Sequence, residues 1–520
     1  MAALTGAIRP ETQFPDNLLS PLSDAARRER AAVLALIVYV VLWTAYGVVA
    51  KGSQDIHIDM SEQFTLAREL ALGYPKHPPL TMLIVRFWFS VFPTTDWAYY
   101  LLAATNAALA LWIAWRLYAQ FLDGEKRVLG LALLTLVPFF NFHALKFNPN
   151  TVLMPLWAAT TLFFLRSFET RRSLDAALAG FFAALAMYGK YWSIVLLLGL
   201  ALAAVADPRR ADYFRSTAPW ITAASGGLVL APHFIWLLGN DFAPFSYALF
   251  VHGEASLASS LAGVIGYVAG SIAYVVIPIL IVLVLARPSR KALWDMLWPL
   301  DPHRRLAVTA FWATLLIPAL AAPLGRVRLT SLWSMSAWTL LPVMLLSSPL
   351  ITIGRKEAAR IVAAAAMFPV LMLAAAPAIG FALHRTGSAA DGHASVLAET
   401  VDQFWREATE TPLKVFGSTD TFTYGVPFYL RAHPAVVHLL ERPATPEEEA
   451  LIARDGVALL CPMTSIICLG AANARAAAVS GATRKEVEVR RSYWGSEGRS
   501  ERYAIFAIPP SNRFRRGNEM

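Results

Sequence analysis

Between Asp55 and Leu80 the chain reads "DIHIDMSEQFTLARELALGYPKHPPL". Asp55, His57, Asp59 and Glu62 follow directly on an apolar run, and Lys76 and His77 come next. Asp59 and Glu62 are three residues apart, so they share a face wherever the segment turns helical. A carboxylate at a partly desolvated membrane surface can carry a raised pKa and serve as a general base. Further polar groups sit in "HALKFNPN" (Lys146, Asn148), "YGKYW" (Lys190), "PHFIWLLGNDF" (His233) and "GRVRLTSLW" (Arg326, Arg328). Arginine grips a phosphate through two parallel hydrogen bonds, and lysine supplies a point charge. A base plus a phosphate clamp is what transfer from a phosphate-linked donor needs. His57 between two aspartates has the look of a metal ligand, yet its spacing matches no zinc motif.

Each of these residues also has a structural reading. A single aspartate near a helix end is a cap or a solvated loop residue, His143 and His233 can be hydrogen-bonded braces, and Lys190 can snorkel to the interface. Their gathering at one membrane surface is what marks a functional candidate, because charge there is costly unless solvated or paired.

The elements that must position these groups follow from composition. Of 520 residues, 57% are hydrophobic and 16% charged, with mean hydropathy +0.49. Soluble chains carry about a quarter charged residues and just under half apolar ones. The apolar excess falls in blocks of about twenty residues, the length of a bilayer-spanning helix. The fold class is therefore a polytopic α-helical membrane protein, and the short alternating segments of a β-barrel are absent from the sequence. Candidate spans are 31–50, 97–119, 127–143, 150–168, 174–188, 190–206, 217–239, 260–286, 306–323, 329–348 and 360–383. The first reads as a retained anchor rather than a signal peptide, since more spans follow it.

The net charge of +9 sits mainly in short loops between the spans. Arg27, Arg28 and Arg30, then Lys126 and Arg127, Arg171 and Arg172, Arg209 and Arg210, the loop 287–305, and Arg355, Lys356 and Arg360 mark every alternate loop. The positive-inside rule puts these in the cytoplasm, with the N-terminus inside and the acidic loop 51–96 outside. Basic residues in this pattern set topology, so nucleic acid is not a partner. Leu80–Phe92 is too short to span and reads as an interfacial helix. A transporter or lipid-linked sugar flippase is the alternative class. It would place its charges near mid-span on broken helices in paired repeats, whereas here they gather at outer ends.

Past residue 384 the composition becomes mixed. "LKVFGS", "GVALLCP" and "RYAIFAIPP" read as short buried strands, and "TPEEEALIARDG" as a capped helix ending at glycine. Residues 385–520 thus form a small soluble α/β domain, periplasmic by topology, after a membrane domain at 1–384. Cys461 and Cys468 would then lie in an oxidising compartment, where a local disulfide is one outcome and two buried thiols the other.

The early span, the acidic loop and "GYPKHPPL" together resemble the bacterial glycosyltransferase family 39/83 group. These are GT-C fold enzymes related to protein O-mannosyltransferases and to the aminoarabinose transferase of lipid A. "KFNPNTVLMPLW", "MYGKYWSIVLLL", "PHFIWL", "RVRLTSLW" and "VPFYLRAHP" extend the resemblance over most of the chain. It implies an inverting transfer of a sugar from a polyprenyl-phosphate donor to an envelope lipid, glycan or protein acceptor at the inner membrane's outer face. Asp59 takes the position of the base, with Glu62 a supporting carboxylate. Lys76, His77, Lys146, Asn148, Lys190, His233, Arg326 and Arg328 are the candidate substrate-binding residues. Many relatives carry an adjacent Asp-Glu pair, whereas Met60 and Ser61 separate the two acids here. No cofactor is required by the sequence, and use of a divalent metal stays open.

Overall fold

The structure is a computed structural model that describes residues 24–388 and 391–511. Most of the polar N-terminal segment lies outside the described residues. Among the described residues, seven helices are long and apolar enough to cross a membrane: Ala25–Ala50, Asp96–Tyr118, Pro149–Thr170, Ala218–Gly239, Leu257–Ala286, Pro302–Gly325 and Arg355–Thr386. Shorter apolar helices occupy Ser173–Gly189, Tyr191–Ala206 and Ser331–Leu346, three more of the regions read as spans. Around 127–143 the helix Gly124–Thr135 stops early, and a single 3-10 turn, Pro138–Phe140, follows. Pro138 explains the break: it has no N–H to donate, and it forces Val137 into an extended conformation. The stretch near 329–348 is a 3-10 helix, Ser331–Leu340, running into Leu341–Leu346.

The chain divides into two compact units. The first comprises the described part of Met1–Trp43 with Ala71–Thr81 and Leu101–Leu371. Its helices approach closely where small residues face each other. A Cβ at Gly180 would lie 2.1 Å from the Thr222 carbonyl oxygen and 2.8 Å from the Gly226 nitrogen. Thr222 Oγ1 and Ser225 Oγ donate to the carbonyls of Ala176 and Ala177 at 3.0 and 2.8 Å. Glycine at the crossing and hydroxyls bridging beside it form the small-residue packing expected where lipid supplies no hydrophobic drive.

The second unit comprises Thr44–Leu70, Met82–Tyr100 and the described part of Met372–Met520. It holds the short helices Ile58–Leu66 and most of Leu80–Val91, and a five-stranded sheet. The strands are β1 (Val415–Gly417), β2 (Ala435–Val437), β3 (Val457–Pro462), β4 (Thr483–Tyr493) and β5 (Ser496–Ile508), in the order β2-β1-β3-β5-β4. β1 runs parallel to β2 and β3, while β5 pairs antiparallel with β3 and β4. Alternate residues of β3 enter opposite cores: Ala458 and Leu460 pack with Leu397, Val401 and Trp405, and Val457, Leu459 and Cys461 with Ile452 and Ala472. That period of two, with both faces covered, explains why "GVALLCP" reads as an unbroken apolar run. Helix Pro446–Asp455 begins in a capping box between Thr445 and Glu448 and ends at Gly456, whose φ of 74° suits glycine. Cys461 and Cys468 are joined in a disulfide, which decides between the two outcomes the sequence leaves open.

The glycine contact gives a matched pair of variants. Gly180→Ala drives a methyl group into backbone of the neighbouring helix and should cost about 1–3 kcal/mol through overpacking. Gly227→Ala, where nothing lies within 4 Å, should be neutral. Thermal unfolding of the purified protein in detergent checks both, and equal behaviour of the two would refute the contact.

Candidate functional site

The acidic helix Ile58–Leu66 starts at His57, whose Nδ1 accepts the Asp59 backbone N–H at 3.1 Å. That makes His57 an N-cap and accounts for its place between two aspartates. Its Nδ1 also lies 3.6 Å from Asp59 Oδ1, but a ring nitrogen accepting an N–H has no proton there for the carboxylate. Among the described residues no group of three His, Cys, Asp or Glu side chains is placed to hold a metal. Asp59 sits in the first helical turn, near the positive end of the helix dipole, with its side chain 35% exposed. Glu62 and Gln63 follow at i+3 and i+4 on the same face and are buried. Both polar atoms of the Gln63 amide lack a hydrogen-bond partner.

The rest of the second unit fixes this helix. Tyr99 donates its hydroxyl to the Met60 carbonyl at 2.7 Å. Phe64 meets the edges or faces of Phe89, Phe428 and His433 with centroids 5.0–5.3 Å apart. Phe428 and His433 belong to "VPFYLRAHP", so the distal domain contributes directly to holding the acidic helix. Just upstream, Asp55 accepts from Arg491 Nη1 at 2.8 Å, Ser395 Oγ at 2.7 Å and the Ala394 N–H at 2.7 Å. Burial pushes the Asp55 carboxyl above its ordinary value, against the pull of the Arg491 charge and these hydrogen bonds. Arg491 also donates to the carbonyls of Gly52 and Gly392. Tyr429 accepts the Ile56 N–H at 2.9 Å and hydrogen-bonds to Asp96. The loop carrying Asp59 is thus pinned on both sides of residue 56.

The first unit holds the cations. Lys190, at the end of helix Ser173–Gly189, donates to Asn150 Oδ1 at 2.6 Å and lies 4.9 Å from the centre of the Trp333 ring. Trp333 also meets His252 edge-on at 4.9 Å. Burial, then the Lys190 and Arg328 charges, hold the His252 imidazole below its ordinary value, so its ring is neutral at pH 7. Arg328 pairs with Glu254 at 2.7 Å, and the backbone around Gly253 bridges that around Val327. Lys190, Asn150, Trp333, His252 and Arg328 therefore form one cluster. The "GYPKHPPL" turn is held separately: His233 Nδ1 donates to the Leu72 carbonyl at 2.6 Å, and Gly73 packs against the Trp236 ring. Lys76 lies 5.7 Å from the Tyr247 ring centre, and the His77 carbonyl accepts the Tyr74 N–H.

Two expected ligands have other work. His233 is buried with its second nitrogen accepting from Tyr191 at 2.8 Å, so it is a brace with no site left for substrate. Asn148 caps helix Pro149–Thr170, its oxygen accepting the N–H groups of Asn150 and Thr151. The backbone of Arg326 closes helix Pro302–Gly325 in a left-handed conformation, φ 50°, and its carbonyl takes the Glu254 N–H, while its side chain is exposed. The Lys146 charge acts on His143. Sequence reading missed Asn150, Trp333, His252 and Glu254. Asn150 sits within the quoted "NPN", whereas Arg328 and Glu254 are 74 residues apart with no local signal.

Several known proteins are similar to this chain. The family described as dolichyl-phosphate-mannose-protein mannosyltransferase matches residues 76–236. The structure aligns with ArnT from Cupriavidus metallidurans bound to undecaprenyl phosphate at TM-score 0.62 and 14% identity, covering 91% of this chain and 97% of that one. The apo state of the same protein gives TM-score 0.60 at 12% identity, over 92% and 98%. The chain has the GT-C glycosyltransferase fold. The lipopolysaccharide core galacturonosyltransferase RgtB of Rhizobium johnstonii is 26% identical over 231 residues, 43% of this chain. That match spans 45% of RgtB, less than half its length. The multi-span membrane architecture with a C-terminal sheet domain, expected from composition, is the GT-C arrangement found.

The Asp55–Arg491 pair can be tested directly. Arg491→Met leaves a buried carboxylate without its counter-charge and should cost about 3–5 kcal/mol. Asp55→Leu combined with Arg491→Met should recover part of that loss. Thermal unfolding of the full-length protein measures both, and a double variant as unstable as the sum of the singles would reject a pairwise interaction.

Proposed function

We propose that this chain transfers a sugar from a polyprenyl-phosphate donor to an acceptor hydroxyl of the cell envelope. Asp59 removes the acceptor proton as the oxygen bonds to the anomeric carbon. The bond from that carbon to the phosphate oxygen breaks on the opposite face, giving inversion and releasing polyprenyl phosphate. The observation that carries this reading is the contrast within one helix: Asp59 is partly open to solvent, while the residues around it are buried and held by the distal domain. A base must be reachable and rigidly placed.

Lys190 and Arg328 are the assigned partners of the donor phosphate, with Lys76 a third. Fixed cations stabilise a leaving phosphate at the moment its charge develops. Lys190 donates to the Asn150 amide oxygen and stands over the Trp333 ring, contacts that orient its ammonium within the cluster. Arg328 is 66% exposed and reaches a phosphate only by sharing or leaving Glu254. The undecaprenyl phosphate bound in the ArnT structure and the saccharide acceptor in RgtB's name support this donor and acceptor class. The basic loops support an inner-membrane protein with Asp59 on the extracytoplasmic side.

Asp59→Asn should lower transfer by about 10²- to 10⁴-fold, the usual contribution of a general base. The assay is transfer from lipid-linked sugar in vesicles, with unfolding temperature as a control. Normal turnover by a folded variant, or transport of the lipid-linked sugar with no glycosylated product, would reject the assignment. Lys190→Gln should weaken donor use by roughly 10- to 100-fold, the worth of one charged hydrogen bond. Because the phosphate gains charge as the bond breaks, the loss should appear in kcat as well as in KM for the donor.

A further inference from the structure

At the end of the first unit that carries the basic loops, a cavity of about 740 Å³ opens between helices Asp96–Tyr118 and Pro149–Thr170 and the start of Pro302–Gly325. Arg116, Arg127 and Arg166 all line it, beside the carboxylates of Glu29 and Glu169. We propose that this cavity binds the phosphate group of an anionic phospholipid.

Both carboxylates are already committed. Glu29 accepts from Arg127 at 2.6 Å and from the Trp115 indole at 2.8 Å. Glu169 accepts from Arg209 at 2.8 Å and lies 3.0 Å from His303. Arg127 is further fixed over the Trp115 ring at 3.7 Å, and Arg166 is paired with Asp175 at 3.0 Å. Arg116 differs: it is exposed, and it makes no ion pair or side-chain hydrogen bond among the described residues. Its charge acts at longer range on Arg127 and on Glu29, which is already hydrogen-bonded to Arg127 and Trp115. A guanidinium with no hydrogen-bonded counter-ion among the described residues, beside two others, is a site for an added anion. A phosphodiester accepts from a guanidinium in the paired geometry that arginine favours.

The walls select a lipid over a soluble anion. Trp112, Leu162, Phe163 and Phe182 line the same space, with the Phe163 and Phe182 rings nearly parallel at 5.5 Å. Arg116 and Arg166 stand near the last turns of their helices, and the apolar residues lie further toward mid-helix. A headgroup at the helix ends with an acyl chain running along the wall matches that gradient. Basic pockets between helices on the cytoplasmic side suit anionic lipids on the same grounds.

The test is native mass spectrometry of the delipidated full-length protein titrated with phosphatidylglycerol, phosphatidylcholine or inorganic phosphate. Phosphatidylglycerol should be retained in preference to phosphatidylcholine, and Arg116→Gln should weaken its retention by about fivefold, one basic residue's share near a membrane surface. Lys356→Gln removes an exposed charge outside the cavity and should change nothing. Arg116 is exposed, and an unchanged unfolding temperature shows that its replacement folds. Equal retention of the two lipids, or an equal effect of Arg116→Gln and Lys356→Gln, would overturn the proposal. Release of the bound lipid by inorganic phosphate at matched concentration would assign the site to a free anion and overturn the lipid.

Discussion

The buried pair between Asp55 and Arg491 is the constraint on which the acidic helix depends. Two side chains only 6% and 19% exposed hold opposite charges in contact, 436 residues apart in sequence. Taking such charges out of water costs several kcal/mol per ion, so the pair persists only because hydrogen bonds complete it. Ser395, the Ala394 N–H, Gly52 and Gly392 supply them. Asp59 comes four residues after this anchor, and its helix lies against Phe428 and His433 of the same domain. The placement of the proposed base is therefore set by the C-terminal sheet domain.

The cationic cluster follows a different principle. Lys190 is held by an amide oxygen and an aromatic face, partners that orient an ammonium without neutralising it. Arg328, by contrast, is satisfied by Glu254 in the resting structure. The neutral His252 between them avoids a third positive charge that would have to be desolvated with the others.

Much of this was legible in the sequence, for reasons that differ from element to element. Helix Pro446–Asp455 was readable to within a residue because its cap, its acidic first turn and its terminal glycine are all local signals. The apolar run of β3 was readable because both of its faces are covered. The interruption at Pro138 was also written in the chain, but hydropathy alone carried 127–143 across it. Which role His233 and Asn148 take was not legible, since a brace, a cap and a ligand use the same residue types and differ only in what their atoms touch. The Arg328–Glu254 pair and the Asp55 anchor depend on contacts across 74 and 436 residues, which no local pattern records.

The distance between Asp55 and Arg491 along the chain also has a meaning in time. At about 5–20 residues per second, synthesis of the 436 residues between them takes roughly 20–90 s. Throughout that interval the segment around Asp59 has been made but lacks the partner that fixes it. Arg491 lies near the far end of the described chain, so a ribosome that stops just short of it leaves every long apolar helix in place with the Asp55 carboxylate lacking its counter-charge. Completion of the polypeptide is thereby built into the geometry, and a truncated product would insert without being assembled.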